Sequence, residues 1–354
     1  MVRRLARLRE LMTANNLDGM IVTKPENRRY FSGFTGSAGI LIIGLQSQKL
    51  LTDFRYIEQA KQQSPLYEIV RHGSIPYEIL AETIKKLGLT RIGFESDFVT
   101  WEAHQKLSDY ILDAKLAPVK LDELRMVKDP SELNLLKKAV EIADNAFQAV
   151  LKVITPGITE QEIALELEYQ MRKLGSEKPA FDTIVASGIR GALPHGRASG
   201  KPIAAGDFIT MDFGAVYQGY HSDMTRTVVA GKATTKQREI YNIVLTAQLA
   251  GINAVRAGKT GKEIDQVARQ VIADAGYAEY FGHGLGHGVG LFIHEDPRLS
   301  PTGEIKLAEG MVVSVEPGIY LPDWGGIRIE DLVVVSAAGC TILTASSKEL
   351  IELY

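Results

Sequence analysis

Two pairs of acidic residues in the second half of the chain have the spacing of facing positions in β-hairpins. Asp212 and Asp223 form one pair, and Glu316 and Glu330 form the other. Alternating apolar residues around each turn predict antiparallel strands. We expect the acids of each pair to lie directly opposite one another, about 5 Å apart at Cβ. Because facing carboxylates repel, the pattern predicts a bound divalent cation.

Histidines close to the second acid pair extend the candidate metal site. His283, His287 and His294 stand within one glycine-rich stretch. Carboxylates combined with imidazole nitrogen suit Mn, Co, Fe or Zn, and the ligand types do not decide among these metals. Four acids and a histidine are too many for one tetrahedral zinc ion but suit two metal ions. Two ions can activate water and polarise a carbonyl group, so the set indicates hydrolysis of an amide or similar bond.

The two hairpins belong to a unit that occurs twice. The stretches 156–163 and 257–264, PGITEQEI and AGKTGKEI, share Gly, Thr, Glu and Ile at the same places. Each follows a predicted long helix and precedes an acid-bearing hairpin. The first hairpin is predicted to turn between Tyr217 and Gln218, and the second at Asp323. We infer a duplicated helix–helix–hairpin unit folded around a pseudo-twofold axis; chance similarity of two helix starts is the alternative.

A strong helix start marks the division of the chain into two domains. Asp129-Pro130 followed by Glu132 has the composition of a capped helix N-terminus. Residues 1–122 alternate between helical and strand patterns, which predicts a smaller α/β domain with a mixed sheet. Residues 123–354 contain the duplicated unit and are predicted to form an α+β domain.

Composition excludes several classes of protein. The hydrophobic content of 45% and charged content of 23% are typical of globular chains with a large core. A net charge of -3 predicts no general attraction to nucleic acid or to an anionic membrane. The single cysteine, Cys340, excludes an intramolecular disulfide and favours a cytoplasmic location. The first residues predict an amphipathic helix rather than a signal peptide, and the longest apolar run is too short to span a bilayer.

A series of motifs runs through the second domain. In chain order they are FDTIVASG and LPHG (181–188 and 193–196), MDFGAVYQGYHSDMTRT (211–227), GHGLGHGVGLFIHE (282–295), EGMVVSVEPGIY (309–320) and GIRIED (326–331). Together they resemble the pita-bread metallopeptidases, the family of methionine aminopeptidase, aminopeptidase P and prolidase. The first domain, with SGFTGSAG (32–39) and TDFRY (52–56), resembles that of the Xaa-Pro branch. The resemblance implies a pita-bread catalytic domain preceded by an N-terminal domain of the creatinase/prolidase type.

The resemblance also implies roles for individual residues. The positions of the family's metal ligands are occupied by Asp212, Asp223, His287, Glu316 and Glu330. Glu316 is implied to act also as the general base. His195 and His294 are implied to contact substrate and stabilise the transition state, and His283 to line the substrate pocket. Arg328 resembles an arginine that orients the ligand carboxylates.

The implied reaction is hydrolysis of the peptide bond before proline, in a Xaa-Pro dipeptide or at the N-terminus of a longer peptide. The resemblance implies two divalent ions, Mn or Co first and Zn or Fe as alternatives. It also implies a homodimer in which the N-terminal domain completes the neighbour's pocket. Two rival functions are methionine aminopeptidase, which usually lacks such an N-terminal domain, and a non-catalytic pita-bread binding protein, which typically loses metal ligands. Residues predicted either as walls of a proline pocket or as ordinary core are Phe181, Leu291, Phe292, Tyr320 and Trp324.

Overall fold

The computed structural model describes residues 1–354, which form two compact units, Met1–Arg125 and Met126–Tyr354. No helix in either unit combines the length and the apolar character that crossing a bilayer requires.

The first unit contains one mixed sheet. Its strands are β1 (Gly19–Val22), β2 (Ile40–Gly44), β3 (Gln48–Thr52), β4 (Glu68–Arg71), β5 (Arg91–Glu95) and β6 (Lys115–Val119). Their spatial order is β4-β3-β2-β1-β5-β6, with β2 antiparallel to both neighbours and the other pairs parallel. All of β1 is buried, as expected for a central strand covered on both faces. The helices are α1 (Val2–Ala14), α2 (Pro25–Ser32), α3 (Ile57–Gln63), α4 (Pro76–Lys86) and α5 (Trp101–Tyr110).

The second unit has four long helices, and each begins with a reciprocal capping box. They are α6 (Pro130–Val150), α7 (Glu160–Lys173), α8 (Thr235–Ala254) and α9 (Gly261–Asp274). The predicted N-cap of α6 is confirmed, because the Asp129 side chain accepts from the Glu132 backbone while the Glu132 side chain accepts from that of Asp129. Such boxes satisfy N–H groups that a helix leaves without an internal partner.

Two larger sheets and two short ribbons complete the second unit. The strands of the first sheet are β7 (Ile184–Ser187), β8 (Phe208–Phe213), β11 (Met224–Ala230) and β19 (Glu352–Leu353), in the order β19-β11-β8-β7. Those of the second are β12 (Gly286–Gly288), β13 (Glu295–Leu299), β14 (Val312–Val315), β17 (Asp331–Val335) and β18 (Cys340–Ile342), in the order β13-β12-β14-β17-β18. The ribbons pair β9 (Val216–Tyr217) with β10 (Tyr220–His221), and β15 (Gly318–Leu321) with β16 (Gly325–Arg328).

The predicted duplication is confirmed by equivalent hydrogen bonds in the two halves. The backbone N–H of Gly157 donates to the carbonyl of Ile203 at 2.9 Å, and that of Gly258 donates to the carbonyl of Leu307 at 2.8 Å. Both glycines have positive φ, 95° and 85°. Three antiparallel strands follow each helix pair in the same order, β7-β8-β11 and β12-β14-β17. Each half therefore presents one hairpin from the same place in its unit.

The first hairpin differs from its predicted register. Tyr217 pairs with Tyr220, so the turn is Gln218-Gly219, and both turn residues have positive φ, as a tight two-residue hairpin turn requires. Asp212 consequently pairs with Thr225 and not with Asp223. The prediction that the two aspartates are directly opposed is therefore wrong. Because the turn is centred one position later than predicted, the pairing moves by two residues, and the aspartates become diagonal neighbours on the same face.

The second hairpin has the predicted register. Leu321 pairs with Gly325, which centres the turn on Asp323, a residue with φ of 59°. The flanking pairs, Val315 with Asp331 and Gly318 with Arg328, place Glu316 across from Glu330.

Candidate metal centre

The acids and histidines singled out in the sequence surround one cavity in the second unit. The cavity has a volume of about 490 Å³. The sequence-predicted residues that line it are His195, Asp212, Asp223, His283, His287, His294, Glu316, Arg328 and Glu330. Three of the acids lie next to strand ends. Asp223 and Glu330 immediately precede β11 and β17, and Glu316 immediately follows β14. The fold thus brings together every acid, histidine and arginine that the sequence marked as a candidate for the site.

The most compact donor set combines an acid from each half with a histidine. One donor atom each from Asp223, His287 and Glu330 lie within 4.8 Å of one another, and all three residues are buried. The His287 Nε2 lies 3.5 Å from the Asp223 Oδ2 and 3.3 Å from the Glu316 Oε1. Its Nδ1 lies 3.1 Å from the Gly288 carbonyl, which holds a hydrogen on Nδ1. The Nε2 atom faces the acids, where it donates a hydrogen bond to Glu316 when protonated and can bind a metal once that proton is lost.

The inner acids, Asp223 and Glu330, are unfavourable as anions in this environment. Burial raises the pKa of Asp223 well above its ordinary value, and the charges of Glu330 and Asp212 raise it further. Burial followed by the charges of Glu316 and Asp212 raises the pKa of Glu330 in the same way. A divalent cation would remove this penalty, because it favours the ionised form of every acid around it.

The outer acids, Asp212 and Glu316, already have polar partners. Asp212 accepts from Arg328, yet burial keeps its pKa raised. Burial also acts to raise the pKa of Glu316, but the hydrogen bond and positive charge of His287 outweigh it and lower that pKa to about 2. The Ser314 hydroxyl donates to the Glu316 Oε1 at 3.0 Å. Glu316 is therefore ionised over the whole neutral range.

Two carboxylate oxygens test whether this site fits a metal ion. The Asp212 Oδ1 and the Glu330 Oε1 are buried and accept no hydrogen bond. A buried carboxylate oxygen with no donor is costly, and such atoms are rare in folded proteins. Oxygen atoms from four acids with one imidazole nitrogen form a donor set that suits first-row divalent ions. The donor set therefore fits a metal site.

Arg328 links the two halves of the site. Its Nη2 donates to the Asp212 Oδ2 at 2.6 Å, and its Nε donates to the Thr225 hydroxyl at 3.0 Å. The Thr225 hydroxyl in turn donates to the Glu330 Oε2 at 2.7 Å. Arg328 thus fixes one oxygen of Asp212 directly and one of Glu330 through Thr225, so that the other oxygen of each acid is left for an ion.

The remaining histidines occupy different parts of the cavity. The His283 Nε2 lies 2.9 Å from the Tyr320 hydroxyl, and this hydroxyl accepts from the Arg328 Nη1 at 2.8 Å. The rings of His287 and His294 meet edge to face with centroids 4.5 Å apart. His294 and His195 are exposed. Although His294 as a whole is exposed, its ring loses hydration where it packs against His287. This desolvation, followed by the neighbouring charge of His287, lowers the pKa of His294 to about 4, which keeps its imidazole neutral at neutral pH.

The predicted apolar walls are mostly placed elsewhere. Of those residues only Phe181 lines the cavity. Trp324 packs edge to face against Phe208, with ring centroids 6.0 Å apart, and Lys236 lies over its indole. Aromatic residues in a short ribbon alternate between faces, and the sequence alone did not show which face meets the cavity.

Sequence reasoning missed several cavity residues, most of them from loops and the rest from strands β7, β12 and β13. They are Asp182, Ile184, Pro194, Arg197, Gly284, Gly286, Arg298 and Ser300. Arg298 had a usable signal, since it stands four residues after His294 and its Nη2 donates to the His294 carbonyl at 3.2 Å. The others lacked a spacing pattern that distinguishes them from ordinary residues of loops and strands.

Comparisons with known proteins identify the family of each part of the chain. Residues 134–337 match the model of Metallopeptidase family M24, and residues 4–127 match that of the Creatinase/Prolidase N-terminal domain. The curated Xaa-Pro dipeptidase of Pyrococcus furiosus is 43% identical over 99% of this chain and 100% of that protein.

Solved structures extend the similarity to the whole fold. A structure described as Xaa-Pro dipeptidase from Bacillus anthracis is 47% identical, with a TM-score of 0.97 over 99% of each chain. One described as X-Pro aminopeptidase from Thermotoga maritima is 42% identical, with a TM-score of 0.91 over 95% of this chain and 97% of that one. The predicted α+β pita-bread fold is thereby confirmed, and the chain belongs to metallopeptidase family M24, with an N-terminal domain of the creatinase/prolidase type.

Proposed function

We propose that this protein is a Xaa-Pro peptidase that uses two divalent metal ions, Mn or Co in preference to Zn or Fe. The ions would be held by Asp212, Asp223, His287, Glu316 and Glu330. The observation that carries the proposal is the convergence of these acids at one cavity, where two of their oxygens are buried and accept no hydrogen bond. When bound, such ions supply activation of water and polarisation of a carbonyl group.

The chain's own residues account for the proton transfers and for binding. Ionised Glu316 is placed to take a proton from the attacking water and to deliver it to the leaving nitrogen. A peptide bond before proline has no N–H, so its nitrogen must gain a proton to leave as an amine. Neutral His294 beside His287, and His195 on the cavity wall, are placed to donate hydrogen bonds to the oxygen that gains charge or to the substrate.

Within this activity, we propose a preference for Xaa-Pro dipeptides. A dipeptide presents its carboxylate one residue after the scissile bond, and a guanidinium group recognises a carboxylate well. Arg298 lines the cavity, with its Nε 3.9 Å from the Asp296 Oδ1. Arg328 is buried and already committed to Asp212, and Arg197 forms a 2.9 Å ion pair with Asp182. Arg298 is therefore the best candidate to bind the substrate carboxylate.

The proposed activity is tested by comparing two substrates on one metal-analysed sample. Purified protein is supplied with Mn²⁺, and cleavage of a Xaa-Pro dipeptide is measured beside that of a Xaa-Pro-Xaa tripeptide. We expect bound metal near two ions per chain and faster cleavage of the dipeptide. Equal or faster cleavage of the tripeptide would assign an aminopeptidase. Folded, metal-loaded protein that cleaves neither peptide would overturn the proposal.

We also propose that the enzyme is a homodimer in which each N-terminal domain completes the partner's pocket, because the family resemblance implies this arrangement. Light scattering coupled to size-exclusion chromatography is expected to give twice the chain mass of 38.8 kDa. A fully active species of single-chain mass would rule it out.

A further inference from the structure

The loop that carries His195 is held by a carboxylate that does not itself reach the cavity. We call residues 188–199, which follow β7, the histidine loop. Pro194, His195 and Arg197 of this loop line the cavity. The Pro194 carbonyl accepts from the Arg328 Nη1 at 3.1 Å, which ties the loop to the arginine that orients Asp212. The position of His195 therefore depends on how this loop is anchored.

The anchor is Glu160, the first residue of α7. Its side chain is fully buried and does not line the cavity. One carboxylate oxygen accepts from the backbone N–H and the hydroxyl of Ser187, both at 2.8 Å. The other accepts from the backbone N–H of Ser199 at 3.1 Å and from its hydroxyl at 2.6 Å. A single carboxylate thus holds the residues at both ends of the histidine loop.

A fifth hydrogen bond extends this anchor into the loop itself. The Arg190 Nε donates to the Glu160 Oε2 at 3.0 Å, and the Arg190 Nη2 donates to the Arg197 carbonyl at 2.6 Å. The guanidinium therefore bridges the anchor and the segment just after His195. The histidine loop is therefore held at its start, at its end and between its two sides, where Arg190 bonds to Arg197.

The duplicated half shows that α7 does not need this carboxylate to begin. The equivalent helix α9 starts with the same capping box, but Gly261 stands where α7 has Glu160. The next residue of each helix makes the same backbone hydrogen bond. The Gln161 N–H donates to the Ser199 carbonyl at 3.0 Å, and the Lys262 N–H donates to the Gly303 carbonyl at 2.8 Å. A Cβ atom at Gly261 would lie 1.9 Å from the Arg298 carbonyl. The carboxylate is thus a feature of the first half alone, where the loop carries His195.

We propose that Glu160 is a positioning residue that sets the histidine loop and, through it, the place of His195 in catalysis. The proposal rests on the proposed peptidase function for the role of His195. An acidic residue in the first turn also favours a helix by itself. Glu162 provides a matched control for that effect, because it lies in the same turn, is exposed and bonds only to Thr159.

Glu160→Gln keeps the shape of the side chain but replaces one acceptor oxygen with a donor NH₂ group. The amide can then no longer accept on both sides, so part of the anchor is lost. In the metal-loaded enzyme we expect kcat for a Xaa-Pro dipeptide to fall about 10- to 100-fold, with metal content unchanged. Glu162→Gln should leave kcat within about twofold of wild type.

A double-mutant cycle separates positioning from a general structural defect. In a His195→Ala background, Glu160→Gln should lower kcat by less than about twofold. If Glu160 affects catalysis only by positioning the His195 imidazole, its substitution has little left to change once that imidazole is removed. The same fold loss in both backgrounds would overturn the proposal, as would a wild-type kcat in Glu160→Gln. A fully active His195→Ala variant would also overturn it, since the loop would then position nothing that catalysis needs.

Hydrogen exchange of the metal-free proteins gives a readout that does not depend on activity. The Leu193 and Gly196 amides donate within the loop, both at 3.0 Å. They should exchange faster in Glu160→Gln than in wild type or Glu162→Gln, while β8 and β11 keep their protection. Unchanged loop exchange would refute the anchor even if the enzyme is active. Faster loop exchange in a protein that cleaves no peptide would support the anchor and count against the proposed function instead.

Discussion

The two halves of the second unit contribute equivalent acids, but the polar partners of these acids differ between the halves. Asp212 and Glu316 stand at equivalent strand ends, yet Asp212 is neutralised by Arg328 from the other half and Glu316 is bonded to His287 in its own half. The first half also lacks an equivalent of His287. In the second half His287 lies beside Ser314 and donates its backbone N–H to the Ser314 hydroxyl. At the corresponding pair of the first half, Ala186 lies opposite Thr210, so an alanine stands where the second half has the histidine. Duplication thus supplies matched carboxylates, and single side chains make the site asymmetric.

The loops that carry the histidines differ in the same way. In the first half the buried carboxylate of Glu160 comes from a neighbouring helix and holds the loop at its ends. In the second half Glu295 directly follows His294, accepts from the Phe292 N–H at 3.1 Å and forms a buried 3.1 Å ion pair with Lys128. A common fold therefore places two histidine-bearing loops at one cavity with unrelated anchors.

The strongest way to break the comparison is to remove one of the two inner acids. Asp223→Ala is expected to lower activity by about 10³-fold or more and to reduce bound metal, because one side of the buried donor set is lost. Since the remaining acids then repel less, the metal-free variant should melt at or above the wild-type temperature. Metal analysis, dipeptide cleavage and thermal melting check this. Asp223→Asn, which keeps the shape, should behave alike; activity near wild type in either variant would remove Asp223 from the ligand set.

His294 tests whether the two halves divide metal binding from substrate binding. His294→Ala should keep the metal content and lower kcat by about 10²- to 10³-fold, because its imidazole is placed to act on the substrate and is not part of the inner donor set. Metal analysis and steady-state kinetics on one sample measure both effects. A loss of bound metal would move His294 into the ligand set.

Arg328 tests the connection between the halves. Arg328→Lys should lower metal affinity or activity by about 10- to 100-fold, since a lysine cannot bond Asp212, Thr225 and Tyr320 together. Arg28→Lys is a matched control, because Arg28 is also buried but donates to the Gly36 and Gly39 carbonyls in the first unit. The control should lower the melting temperature and leave kcat per folded enzyme close to wild type. Equal kinetics in both variants would contradict the linking role.

Arg298, in β13 just after the loop that carries His294, sharpens the comparison of the two halves. Arg298→Gln should reduce kcat/KM for a Xaa-Pro dipeptide about 10-fold more than for a tripeptide, because only the dipeptide places its carboxylate next to the scissile bond's proline. Arg197→Gln in the histidine loop should have a smaller effect, since Arg197 is exposed and paired with Asp182. A uniform loss for both substrates in Arg298→Gln would show that it does not read substrate length.

The smallest expected effect is a pH dependence of metal stabilisation. The folded-state pKa values of Asp223 and Glu330 are raised above their ordinary values of 3.8 and 4.5. The contribution of these acids to the stability of the metal-free protein is therefore present below about pH 4 and lost as pH rises through the raised values. Because metal ions displace these protons, the gain in melting temperature with Mn²⁺ should grow by a few degrees from pH 6 to pH 8. A gain that shrinks over this range would contradict the pKa directions.

The sequence predicted those parts of the site that depend on local rules. Helix starts followed from capping residues such as Asp129 and Glu132, and the register of the second hairpin followed from a turn centred on Asp323. The register of the first hairpin was predicted from the midpoint of Asp212 and Asp223, which lies one position before the true centre of the turn. Gln218 gave no sign of this, because it is a residue type that rarely has positive φ, yet it occupies the first turn position beside Gly219.

Contacts between distant segments were beyond the reach of sequence patterns. Arg328, Thr225 and Asp212 meet only because two separately folded hairpins pack together, and no spacing rule joins them. The Glu160 anchor has the same origin, since a helix start and a loop become neighbours only in the folded unit. The resemblance supplied Arg328 as a candidate, and the structure supplied its partners.

The central claim, that acids from both halves form a site which needs divalent metal, is tested most directly by titrating the metal-free protein with Mn²⁺. Bound metal and dipeptide cleavage are measured on the same samples, with Asp223→Ala in parallel. We predict that activity rises as the wild-type protein approaches two bound ions per chain and that the variant neither binds both ions nor cleaves. Full activity without bound divalent metal, or a folded wild-type protein that binds none, would contradict the account.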